Sequence, residues 1–83
     1  MKITLRYFAS VREAVGRGSE PHDTSAASLG DLRQELAARG EPYAQALAGS
    51  KAVRMALDQV MADDGAALRD GCEVAFFPPV TGG

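Results

Sequence analysis

Cysteine is almost missing from this chain. Cys72 is the only one in 83 residues, so no internal disulfide can form. The fold must stand without covalent staples, which fits a reducing compartment. Histidine is equally scarce, with His22 alone. One Cys and one His cannot complete a tetrahedral zinc site, and no bound metal is expected. Long apolar runs are missing as well. None approaches the roughly 20 residues that span a bilayer. The opening Met1-Lys2-Ile3-Thr4-Leu5-Arg6 has no long apolar run before a small-residue cleavage site. A soluble cytoplasmic protein with no membrane partner is expected. Positive charge does not dominate either. Nine Lys/Arg stand against eleven Asp/Glu, a net charge of −2. No basic stripe forms, and aromatics do not alternate with basic residues, so nucleic acid is not an expected partner.

What is present describes one small globular domain. The apolar share of 46% and the charged share of 24% are ordinary, which argues against disorder. A chain this short buries only about 60–65% of its unfolded surface, so it has one thin core. The first eight residues alternate, with Ile3, Leu5 and Tyr7 on one side, as in a half-buried strand. Ser10 and Glu13 carry a capping-box spacing before a short helix that ends at Gly16. Residues 20–24 suit a polar edge strand whose pairing Pro21 limits. Ser28–Arg39 is the strongest helix. Ser28 is its candidate N-cap, and Leu29, Leu32 and Leu36 form one apolar stripe. Residues 43–48 suggest a helical turn. Residues 52–57 alternate again, and Asp58-Gln59 suggests a tight turn into Val60-Met61. Residues 66–68 suggest another helical turn. Cys72–Phe77 is the last strand, with Cys72, Val74 and Phe76 on one face. One main helix against a mixed sheet is an α+β arrangement. If the first and last strands pair in parallel, it is a ubiquitin-like β-grasp.

Side-chain catalysis finds little support. His22 reads as a solvated loop residue with no nucleophile at a matching spacing. Cys72 has no basic neighbour in sequence to activate it, and reads as a structural thiol. Asp63-Asp64 reads as a solvated turn. Gly16-Arg17-Gly18 lacks the later glycine and Lys-Ser/Thr of a phosphate loop.

The C-terminus carries a stronger pattern. It reads Phe76-Phe77-Pro78-Pro79-Val80-Thr81-Gly82-Gly83. Residues 1–77 would form the folded body and 78–83 an extended, flexible Gly-Gly tail. The prolines stiffen its exit. Six extended residues reach about 20 Å at roughly 3.3 Å each, enough to enter another protein's active site. Gly82 and Gly83 have no side chains and pass a narrow channel. The terminal carboxylate is ionised at neutral pH and is a poor electrophile. Loading it requires activation, for example as an acyl-adenylate. Phe8 and Phe77 fall opposite their strands' core residues. They would adjoin beside the exit and, with Met61, mark a protein interface.

This terminal octapeptide, with Tyr7-Phe8-Ala9, Val11-Arg12-Glu13 and Gly16, resembles the family of small, sulfur-carrier subunits of molybdopterin synthase. The resemblance spans essentially the whole chain and is loose in the middle. It implies a ubiquitin-like β-grasp fold. It also implies that an adenylating, E1-like enzyme activates Gly83 with ATP and magnesium, through a transient glycyl adenylate. A sulfur donor would then convert Gly83 to a thiocarboxylate. No cofactor would be bound to the chain itself. The tail, Pro78, Pro79, Val80, Thr81 and Gly82 included, would enter a large catalytic subunit in a heterotetramer of two small and two large subunits. Sulfur would pass to cyclic pyranopterin monophosphate to build the molybdopterin dithiolene. Phe8, Met61 and Phe77 match positions that contact the large subunit. The family often has Asn where this chain has Asp58, and Asp where it has Cys72. Both differences bear on turn stability or partner preference. A thiamine-type sulfur carrier and a ubiquitin-like protein modifier use the same activated carboxylate. An independent small-molecule enzyme lacks the side chains it would need.

Overall fold

Ile3, Leu5 and Tyr7 alternate with more exposed neighbours in strand β1 (Lys2–Tyr7), and all three are buried. That period-two pattern seats β1 at the heart of a five-stranded sheet. The structure is a computed structural model and describes residues 1–48 and 52–79. After β1 come helix α1 (Ala9–Val15), strand β2 (Ser19–Asp23), helix α2 (Leu29–Ala37), helix α3 (Tyr43–Leu47), strand β3 (Arg54–Leu57), strand β4 (Val60–Ala62) and strand β5 (Glu73–Phe77). The sheet order is β2-β1-β5-β3-β4. β1 and β5 pair in parallel, Tyr7 opposite Phe76, and the other pairs are antiparallel. A central parallel pair with antiparallel hairpins on both sides is the expected β-grasp. Leu29, Leu32, Leu36 and Leu47 bring the helices onto the inner face of the sheet, against Leu5, Val74 and Phe76.

α2 forms where its pattern predicts. The Ser28 hydroxyl accepts the Asp31 N–H at 3.2 Å, which satisfies one of the free donors of the first turn. Two more go to a neighbouring loop. Leu29 N–H donates to the Ala66 carbonyl at 3.0 Å and Gly30 N–H to the Asp64 carbonyl at 2.9 Å. A side chain at Gly30 would meet the Asp64 Cβ at 3.0 Å, so glycine permits this approach. The same clasp corrects the expected helical turn at 66–68. Ala67 instead bridges Ser28 in antiparallel fashion, and Leu68 N–H donates to the Ala27 carbonyl at 3.0 Å. The Ala66 carbonyl and the Leu68 N–H are drawn to the start of α2, which holds the segment extended.

α1 also differs from its expected start. It begins at Ala9, one residue before Ser10, and Phe8 occupies the cap position without a side-chain hydrogen bond. The Ser10–Glu13 capping box is therefore not formed. Phe8 N–H donates to the Phe76 carbonyl at 3.1 Å, while its own carbonyl accepts from Val11 and Arg12. Pairing with β5 holds Phe8 in the sheet, and the chain turns straight off the strand. Gly16 closes the helix at φ 92°, as its position suggests.

Candidate docking face and tail exit

Among the described residues, the outer face of the sheet carries no helix. Its register can be followed across the strands: Arg6 opposite Ala75, Ala75 opposite Ala56, Ala56 opposite Met61. One step along, Phe77 stands opposite Arg54. Ala56 and Ala75 are each 7% exposed yet lie outside the core cluster. They form a low floor between taller side chains. Met61 is 59% exposed and Phe8 42%. Large apolar side chains at that exposure, set around a flat apolar floor, are what a protein interface uses.

Phe8 and Phe77 leave neighbouring strands at the same level, because Tyr7 pairs with Phe76. Their rings are not in ring contact. The neighbour of the Phe8 ring is the Arg6 guanidinium, 5.4 Å from its centroid. Arg6 also lies 3.6 Å from Glu73. Its position over the ring holds the exposed aromatic in place.

β5 ends at Phe77, and Pro78 and Pro79 follow, both half-buried. Pro78 lies beside a concavity of about 390 Å³ lined by Val11, Ala14, Ala46 and Val53. Neither proline can continue a ladder, so the chain leaves the sheet there. Val80, Thr81, Gly82 and Gly83 lie outside the described residues.

Behind this exit is a polar cluster that sequence reading missed. Glu20, in the edge strand, is 7% exposed. Its Oε2 accepts the hydroxyls of Tyr7 at 2.9 Å and Tyr43 at 2.7 Å. Arg17 and Arg39 approach its other oxygen at 3.7 and 3.6 Å. Burial pushes the Glu20 carboxyl up. The Tyr43 and Tyr7 hydrogen bonds and the two guanidinium groups outweigh it and hold the carboxyl below its ordinary value. Burial, then the Glu20 hydrogen bond, pushes both tyrosine hydroxyls up, so they remain donors. Tyr7 stacks on Phe76 with centroids 6.1 Å apart. The cluster thus braces the strand that ends in the tail. The signal that could have found it is parity. Glu20 pairs with Leu5, a core residue, so it must face inward.

The other candidates resolve as structural. His22 is not in a loop and is not fully solvated. It sits in β2, and its Nε2 lies 2.7 Å from Glu35 Oε2 on α2. Glu35 also accepts the Thr24 hydroxyl at 2.9 Å, so the three side chains tie β2 to α2. Cys72 is 3% exposed within the core, in keeping with a structural thiol. Asp58 accepts the Glu73 N–H at 2.9 Å and the Arg69 guanidinium at 2.8 Å. Among the described residues, no group of three or more His, Cys, Asp or Glu side chains is placed to hold a metal ion, and no helix is long and apolar enough to cross a membrane.

Comparison with known proteins finds relatives along the full length of the chain. The profile of the ThiS family matches residues 5–83. The molybdopterin synthase sulfur carrier subunit of Escherichia coli is 41% identical over 81 residues, covering 98% of this chain and 99% of that protein. The subunit of the same description from Mycobacterium tuberculosis is 33% identical over 85 residues, covering 100% and 99%. Among solved structures, SAMP1 from Haloferax volcanii matches with a TM-score of 0.77 at 25% identity, with both chains fully covered. A complex of subunits 1 and 2 of the molybdopterin-converting factor from Helicobacter pylori matches with a TM-score of 0.69 at 25% identity, again over both full chains.

Proposed function

The chain belongs to the ThiS family, and from that premise we propose that it is the sulfur carrier subunit of a molybdopterin synthase. The observation that carries this reading is the full-length likeness to sulfur carrier subunits, with a family match that runs through Gly83. The fold supports it in a simple way. A rigid β-grasp body delivers Pro78-Pro79 to the surface beside an exposed apolar face. Chemistry then belongs to the C-terminal carboxylate and to partner proteins.

In this mechanism an E1-like enzyme uses ATP and magnesium to form an acyl-adenylate at Gly83. A sulfur nucleophile displaces AMP, leaving a thiocarboxylate. The tail from Pro78 to Gly83 enters the large subunit. There the thiocarboxylate sulfur bonds to a carbon of cyclic pyranopterin monophosphate as a C–O bond at that carbon breaks. Water then cleaves the acyl–sulfur bond, leaving the sulfur on the product and returning Gly83 as a carboxylate. Gly82 keeps the last step of the channel narrow. Phe8, Met61 and Phe77 dock the body against the large subunit, in a heterotetramer of two small and two large chains. The chain itself binds no cofactor and works in the cytoplasm.

Intact mass spectrometry tests the carrier step. Incubation with the adenylating enzyme, ATP and a sulfur source should add about 16 Da, the exchange of one oxygen for sulfur at a carboxylate. An unchanged mass, with the adenylating enzyme shown to be active on another carrier, would sink the reading. The likeness to SAMP1, described as a small archaeal modifier protein in a second structure of the H. volcanii protein, favours a second reading, conjugation of Gly83 to lysines. It would appear as a ladder of higher-mass conjugates that persist after reduction.

A further inference from the structure

The two edges of the sheet are built differently. β2 is guarded by Pro21, which has no N–H, and by the charges of Glu20 and Asp23. β4 reads Val60-Met61-Ala62 and has no proline, glycine or charge. Val60 is 67% exposed and Met61 59%. An edge without such guards is a template for strand addition.

The hairpin register decides which backbone groups are on offer. Asp58 and Gln59, at φ 50° and 69°, make a two-residue turn between Leu57 and Val60. In such a hairpin the closing pair exchanges both hydrogen bonds, and the next pair exchanges none. Leu57–Val60 is the closing pair and Ala56–Met61 the next. The Met61 N–H and C=O therefore point away from β3, to the free edge. Among the described residues, no bond from outside the sheet reaches either group.

We infer that β4 accepts an added strand from the partner that takes the tail, with the Met61 N–H and C=O as its anchor. This rests on the sulfur-carrier reading, which supplies that partner. Register favours this occupant. Ala62 stands opposite Met55, next to Arg54, which stands opposite Phe77. The end of β4 and the tail exit thus share one end of the sheet, two strand spacings or about 10 Å apart. A protein that grips the tail is within reach of β4. Grooves on both sides of β4 state the strand's chemistry. The one on the inner side is lined by Leu57, Val60, Ala62 and Ala67, with the Asp58–Arg69 pair at its rim. The one beside Met61 holds Asp63 and Asp64, with Arg54 as the lone cation. A strand with apolar and cationic side chains in alternation satisfies both.

Amide hydrogen exchange tests this on the intact chain, alone and with the cognate large subunit. The Met61 amide should exchange freely alone and slow by about 100-fold in the complex. The Val60 and Ala62 amides, already bonded to β3, should change little. A chemically synthesised chain with N-methyl-Met61 should bind the large subunit at least about tenfold more weakly. A complex that forms with Met61 still exchanging freely overturns the inference and leaves the sulfur-carrier reading standing. Failure of any complex to form overturns both. Protection of Met61 in the free chain that disappears on dilution assigns the edge to a second copy and also overturns it.

Discussion

Glu20 shows how much one residue's neighbours change what its type implies. A glutamate in a short edge strand ordinarily points to water. This one is buried under two tyrosine hydroxyls, with two guanidinium groups beside it. Its folded pKa lies below the unfolded value near 4.3. The stabilisation it contributes is complete at neutral pH and is lost as pH falls through the folded value. Asp58 acts in the same direction, through the Glu73 N–H and then Arg69. Urea midpoints should therefore decline from about pH 5 downward. Glu20→Gln should flatten part of that decline and cost about 2 kcal/mol at pH 7, since a neutral amide accepts the tyrosine hydroxyls less strongly. An equally steep acid limb in the variant would remove Glu20 as its cause.

The elements differ in how openly the sequence declared them. α2 was legible because its signals are local. Ser28 caps it, and Leu29, Leu32 and Leu36 recur at helical spacing. Ser28→Ala should cost about 1 kcal/mol and lower the thermal midpoint by roughly 4–8 °C, which calorimetry would read. The β3–β4 turn was also legible in place, though not in strain. Gln59 sits at φ 69°, a region that costs a side-chain-bearing residue about 1–2 kcal/mol. Gln59→Gly should stabilise the fold by about 1 kcal/mol, with Asp58 kept for its two hydrogen bonds. A loss of stability would show that Gln59 makes a compensating contact. The start of α1 and the path of residues 66–68 were not legible. Both are set by partners far away in sequence, Phe76 in one case and Leu29–Gly30 in the other.

At the scale of the whole molecule, stability and function separate. The core lies between the helices and the inner sheet face, while the proposed docking face lies on the outer one. Deleting Gly83 should abolish sulfur transfer and leave the thermal midpoint within about 1 °C; retained transfer would refute the carrier role. Phe77→Ala should weaken the complex with the large subunit by at least about tenfold, measured by calorimetric titration. An unchanged affinity would take Phe77 out of the interface. These two variants probe different links. The first shortens the tail by one residue and withdraws the reacting carboxylate, and the second removes one docking side chain from an intact body.

The sequence by itself determined the periodicities, the strongest helix, the proline-led exit and the Gly-Gly end. Each of these is written in residues a few positions apart. Only the tertiary structure decided that Glu20 is buried, that His22 pairs with Glu35, that Arg6 and not Phe77 lies against the Phe8 ring, and that Met61 turns its backbone to an open edge. The reason is physical. Burial and pairing depend on which strands become neighbours, and the parallel pairing of β1 with β5 joins residues nearly seventy positions apart. That pairing places the end of β5 beside Phe8, where Pro78 leaves the sheet.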